Sequence, residues 1–180
     1  RQTISRKLGK SLTLREFSAA RNREVFASLT TIGLPGSHIM FANGGGMIGT
    51  SSPRYHDKNL TEAEAHTAIA RVYDQVGNGT YVTLASGPGE AHFRNPDHYN
   101  LEKALQNFKG IREKRFFSDI ATEQSTTVVL SAGEQSVKQA ALRNYYVWEP
   151  DNGRYAIGKH SVAYLLDHWQ TSTVEFVIEH

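Results

Sequence analysis

An ordinary globular composition over 180 residues, 39% hydrophobic and 21% charged, excludes wholesale disorder and fits a single domain, 1–180, with one core. No apolar run approaches the roughly 20 residues that a membrane-spanning helix needs, and the basic N-terminus is not followed by the apolar stretch of a signal peptide. The formal net charge is +2 and cysteine is absent, which removes disulfides, thiolate metal ligands and thiol nucleophiles.

The positive charge is uneven. Arg1, Arg6, Lys7, Lys10, Arg15, Arg21 and Arg23 stand against only Glu16 and Glu24 in the first 24 residues. Residues 1–12 read as a solvated, flexible basic arm. Such an arm can meet nucleic acid or an anionic membrane, but it lacks the dense interleaving of basic and aromatic residues that nucleic-acid binding favours, so nucleic acid is not the expected partner.

Ser11–Leu29 follows as a helix, because Leu14, Phe17, Val25 and Leu29 recur at roughly helical spacing. Ile39 and Phe41 alternate with His38 and Met40 as in a short strand, closed by Asn43-Gly44-Gly45-Gly46, and residues 49–59 are turn-rich. Thr61–Val76 is the clearest helix: Thr61 and Glu64 make a capping box, and Gly77 supplies the stop. Tyr81–Ala85 reads as a strand and Asp97–Phe108 as a helix, with a Gly87-Pro88-Gly89 break between them. Thr126–Leu130 is a β-branched strand, and Ser136–Arg143 fits helix or strand. Tyr145–Trp148 and Tyr155–Ile157 form a hairpin around Asp151-Asn152-Gly153. Ser161–Trp169 is a helix capped by Ser161, and Thr173–Ile178 alternates as a strand. Helices lead and strands cluster late, which predicts an α+β fold with N-terminal helices packed on a C-terminal antiparallel sheet.

Chemistry is sparse in this pattern. Gly44, Gly45 and Gly46 lack the Gly-Lys-Ser/Thr ending of a phosphate loop, and read as a hairpin end or a loop flanking a binding cleft. The eight histidines include no tight ligand spacing, and His160 and His168 would stand about 12 Å apart along a helix, so no metal and no cofactor is expected. No G-x-S-x-G elbow occurs. The residues left for a non-cysteine active site are His160, Glu149 and Asp151 around the hairpin, as an acid–base group of a hydrolase or transferase. Trp148 and Asn152, with Gly44–Gly46, are the candidates for binding.

The segment Tyr145-Tyr146-Val147-Trp148-Glu149-Pro150-Asp151-Asn152-Gly153-Arg154-Tyr155, with the helix after it, resembles the C-terminal part of papain-like cysteine-protease effectors of the YopT kind. The likeness covers about 25 residues, Tyr145–Trp169. It implies a papain-like scaffold and a bacterial virulence effector, secreted and working in the host cytosol on a host protein. It also implies the loss of proteolysis. Glu149 stands where the family has the aspartate that orients its histidine, Glu134 stands where the histidine belongs, and the nucleophilic cysteine is missing.

Overall fold

The computed structural model describes residues 2–39, 41, 60–85 and 96–179. Contacts divide the chain into two compact units, one of Arg1–Asp57 with Leu130–Thr173 and the other of Lys58–Val129 with Val174–His180. Each has its own core. The fold is mixed α and β, with six helices, a four-stranded sheet and a separate two-stranded sheet among the described residues.

In the first unit, helix α1 (Gln2–Leu8) occupies the stretch expected as a flexible arm. Ile4 and Leu12 are buried, and the basic Arg6 and Lys7 lie in the last turn of the helix. Only the polar face of that segment reads as an arm. The apolar face joins a core of Ala20, Tyr155 and Ile157, with Leu8, Phe17 and Trp148 packed around it. Helix α2 (Leu14–Thr31) starts three residues later than its apolar spacing suggests, because Thr13 accepts from the Glu16 N–H and Glu16 answers as the reciprocal half of a capping box. Residues 36–38 form one 3₁₀ turn, which takes His38 from the stretch 38–41 expected as a short strand; Met40 lies outside the described residues. Gly44, Gly45 and Gly46 lie outside the described residues.

The ambiguous 136–143 stretch is helix: α5 (Ala132–Arg143) begins at a third capping box, Ser131 with Glu134. Tyr145 and Tyr146, expected in a strand, sit in a 3₁₀ turn, and strand β4 is only Trp148–Glu149. It pairs antiparallel with β5 (Arg154–Tyr155) through the turn Pro150–Asn152, which Gly153 closes in the left-handed region (φ 65°, ψ 28°). Helix α6 runs Ile157–Thr171, four residues before the Ser161 start expected for it, with a backbone break at Val162 (φ −139°, ψ 40°).

The second unit holds α3 (Glu62–Val76), β1 (Thr80–Leu84), α4 (Pro96–Asn107), β2 (Glu113–Ser118), β3 (Thr126–Val129) and β6 (Val174–Glu179). The strand order is β1-β2-β6-β3. The expected antiparallel sheet of late strands is therefore corrected to a mixed one. β1 and β2 run parallel, with α4 between them in sequence, while β6 is antiparallel to both β2 and β3. The aromatic hairpin contributes no strand to it. One face of the sheet packs on α3 and α4 through Ala65, Ile69, Ala104, Leu105, Ile111 and Phe116.

No helix of the described residues is long and apolar enough to cross a membrane.

Candidate functional site

The candidate site lies in the first unit, where α2 passes the β4–β5 turn. A cavity of about 430 Å³ opens there, walled by Arg15, Glu16 and Arg23 on α2 and by Asp151, Asn152 and Gly153 on the turn. α2 places Arg15, Ala19 and Arg23 at intervals of four, so they line one face. The turn is fixed by Pro150 and by the Gly153 N–H donating to the Pro150 carbonyl (3.0 Å). Arg23 reaches across and donates from Nη1 to the Gly153 carbonyl (3.4 Å). Gly153 suits the turn because its φ is positive; a Cβ there would stand 2.7 Å from Arg23 Nη1, the flexible end of a side chain that would have to shift its bond to the turn.

The wall carries both signs of charge. Glu16 is spent on its cap, its carboxylate accepting from the Thr13 N–H and Oγ1 at 2.8 Å each, and these bonds hold its pKa below the ordinary range. That leaves the two guanidinium groups, Asp151 and Asn152 as the polar side chains a ligand would meet.

The sequence-derived residues divide among three places. Asp151 and Asn152 line the cavity. Glu149 sits at the end of β4, 3.8 Å from Arg154 Nη1, and accepts from Asn152 Nδ2 at 3.5 Å. His160 is on α6, its ring edge-on to Trp148 with centroids 6.0 Å apart, while the Lys7 ammonium lies 3.7 Å over the same indole. Desolvation there, with Lys7 close by, lowers the His160 pKa, and neither Glu149 nor Asp151 is among the groups that shift it. Trp148 packs against Lys7, Tyr155 and His160, and among the described residues no carboxylate orients His160. Glu134 caps α5 and is exposed. Among the described residues no group of three His, Cys, Asp or Glu side chains could hold a metal ion.

Sequence reading missed Glu24. Its carboxylate, buried on α2, accepts from the Ile157 N–H (2.6 Å) and the Gly158 N–H (3.0 Å) at the start of α6. The residue at that helix's own cap position, Ala156, has no side-chain acceptor and is held at φ 47°, ψ 47°. Burial raises the Glu24 pKa against the pull of those two bonds. Its sequence signal was its place on the stripe of Phe17 and Ala20, at helical spacing from both.

A second polar cluster lies on α6. Tyr146 Oη donates to Asp167 Oδ1 (2.5 Å), and Lys159 Nζ stands 3.1 Å from the same oxygen and 4.7 Å over the Tyr146 ring. Desolvation and the Asp167 bond push the Tyr146 pKa up to about 12. A folded pKa above the unfolded one contributes stability that is complete below about 10 and lost as pH rises through about 12. The phenolate absorbance assigned by the difference between wild type and Tyr146→Phe should therefore rise near 12, and Asp167→Asn should move it to lower pH. A midpoint unmoved by Asp167→Asn would refute the pairing.

No family model, curated protein or solved structure matches the chain.

Proposed function

We propose that this chain is a binding protein, with the α2–turn cavity as its recognition site for a protein partner. The observation that carries the reading is the chemistry of that wall: two guanidinium groups beside an aspartate, on a rigid turn. A peptide supplies both complements, a side-chain carboxylate for Arg15 and Arg23 and a backbone N–H for Asp151. Catalysis is the weaker reading, because His160, Glu149 and Asp151 lie at three different places and, among the described residues, no general base faces an orienting group. The hairpin forms a two-stranded sheet of its own, and recognition at the cavity does not require a papain-like scaffold. The setting of a secreted effector meeting a host protein rests on the sequence resemblance alone.

The test is a photo-crosslinking group at Asn152, used in host-cell lysate with the whole chain. Arg15→Glu should cut capture of its partner about tenfold, equivalent to about 1.4 kcal/mol, and leave the melting midpoint in place because Arg15 is exposed. Capture that ignores Arg15→Glu would overturn the site. Turnover of a small substrate that vanishes in Asp151→Ala would overturn the function.

A further inference from the structure

Among the described residues the four-stranded sheet ends at β3, whose four side chains, Thr126, Thr127, Val128 and Val129, are all exposed. The register with β6 pairs Thr126 with Val177 and Val129 with Val174, and the Leu130 N–H donates to the Thr173 carbonyl at 2.9 Å. In an antiparallel ladder the bonded pairs alternate. If Leu130 is bonded inward, Val128 and Thr126 are bonded inward too, and Thr127 and Val129 turn their N–H and C=O groups to the free edge. Edges are normally blunted by lysine, proline or a bulge. Here Gln124–Ser131 contains no charged residue and no proline.

We propose that this edge pairs with the β3 edge of a second copy of the chain. The occupant follows from the parity of the outward groups. Two β3 strands laid antiparallel about a two-fold axis through Val128 put Thr127 opposite Val129 of the other copy, and the reverse. Every outward donor then meets an outward acceptor, giving four backbone hydrogen bonds. Val128 faces Val128 across the axis at a close, non-bonded position, and Thr127 faces Val129, both β-branched pairs that suit a pleated surface. No like charges are brought together along the strand. The ladder stops at four bonds because the next outward groups are already used. The Ser125 N–H donates to the Thr122 carbonyl (3.1 Å) and the Ser131 N–H to the Glu134 carboxylate (2.7 Å). A four-bond edge is a small interface, so the association is weak and concentration-dependent.

The absence of cysteine makes the register directly readable. In the full-length chain, Val128→Cys places two thiols opposite each other about 4.5 Å apart between Cα atoms, inside disulfide range. Val129→Cys places them roughly 7 Å out of step along the strand, beyond it. Oxidation should yield a covalent dimer at least tenfold faster for Val128→Cys than for Val129→Cys. In sedimentation, the unmodified chain should shift toward twice its mass between about 10 μM and about 1 mM, the range a small interface requires. Thr127→Pro should abolish that shift, because it deletes an outward N–H and cuts no bond to β6. A chain that stays monomeric, or two cysteine variants that cross-link equally fast, would overturn the proposal. Val128→Cys that cross-links only to other proteins would assign the edge to a foreign strand and overturn the second copy.

Discussion

Glu24→Ala should lower the stability of the first unit by about 3–5 kcal/mol, read as a fall in the urea midpoint. The carboxylate accepts from two backbone N–H groups at a helix start that is itself buried, with Ile157 2% exposed. Alanine leaves both donors without this acceptor, the Ile157 N–H at a buried position and the Gly158 N–H at a partly buried one. Ala156 supplies no substitute, and its positive φ is held only because the surrounding contacts fix it. Glu24→Gln keeps the shape but turns an amide NH₂ toward a backbone donor, so about 2 kcal/mol is expected for it. The pH dependence separates charge from shape. Because burial raises the folded pKa above 4.5, the folded state holds its proton to higher pH than the unfolded chain does. The linked contribution is complete below 4.5 and is lost as pH rises through the folded value. The gap between wild type and Glu24→Gln should therefore narrow over that interval. A gap that widens instead would mean that the two N–H bonds outweigh desolvation.

Glu24 also marks where sequence reading stops. The capping box at Thr61–Glu64 and the turn at Pro150–Gly153 were legible because their signals lie within four residues of each other. Glu24 caps a helix that begins more than a hundred residues later, and no local pattern announces that. β2 was missed for another reason. Its sequence, Glu-Lys-Arg-Phe-Phe-Ser, is charged and lacks β-branched residues, although Lys114, Phe116 and Ser118 alternate inward in strand fashion. Lys114 is tolerated inside because its ammonium donates to the Gln106 carbonyl at 2.7 Å, and burial lowers its pKa. The parallel pairing of β1 with β2 was invisible for the same reason as the Glu24 cap: alternation predicts a strand and is silent on its neighbour. In α1, the run Arg6-Lys7 drew attention to the polar face and away from Ile4 and Leu8. At the candidate site, Asp151 and Asn152 were legible as turn residues. Their placement against Arg15 and Arg23 came only from the packing of α2.

Phe116→Ala should cost the second unit about 3–5 kcal/mol. Phe116 is fully buried at the centre of β2, opposite Thr83 on β1 and Ile178 on β6, and it packs in the cluster of Ala65, Ile69, Ala104, Leu105 and Ile111. Truncation removes most of the ring's burial and opens a hole between the sheet and the helix pair. Ala65 and Ala104 are fully buried in the same cluster, one on each of α3 and α4, and strand β2 is held on both sides by ladders. The walls therefore have little room to collapse, and the cost falls toward the upper end for such substitutions. Phe116→Leu keeps most of the volume and should cost about half as much. The pattern of loss is as informative as its size. Amide exchange should quicken across β1, β2 and β6 in Phe116→Ala while α2 and α6 keep their protection, and Glu24→Ala should give the reverse pattern. That reciprocity is what two separate cores require. Equal loss of protection throughout the chain in either variant would show instead that both cores unfold as one cooperative body.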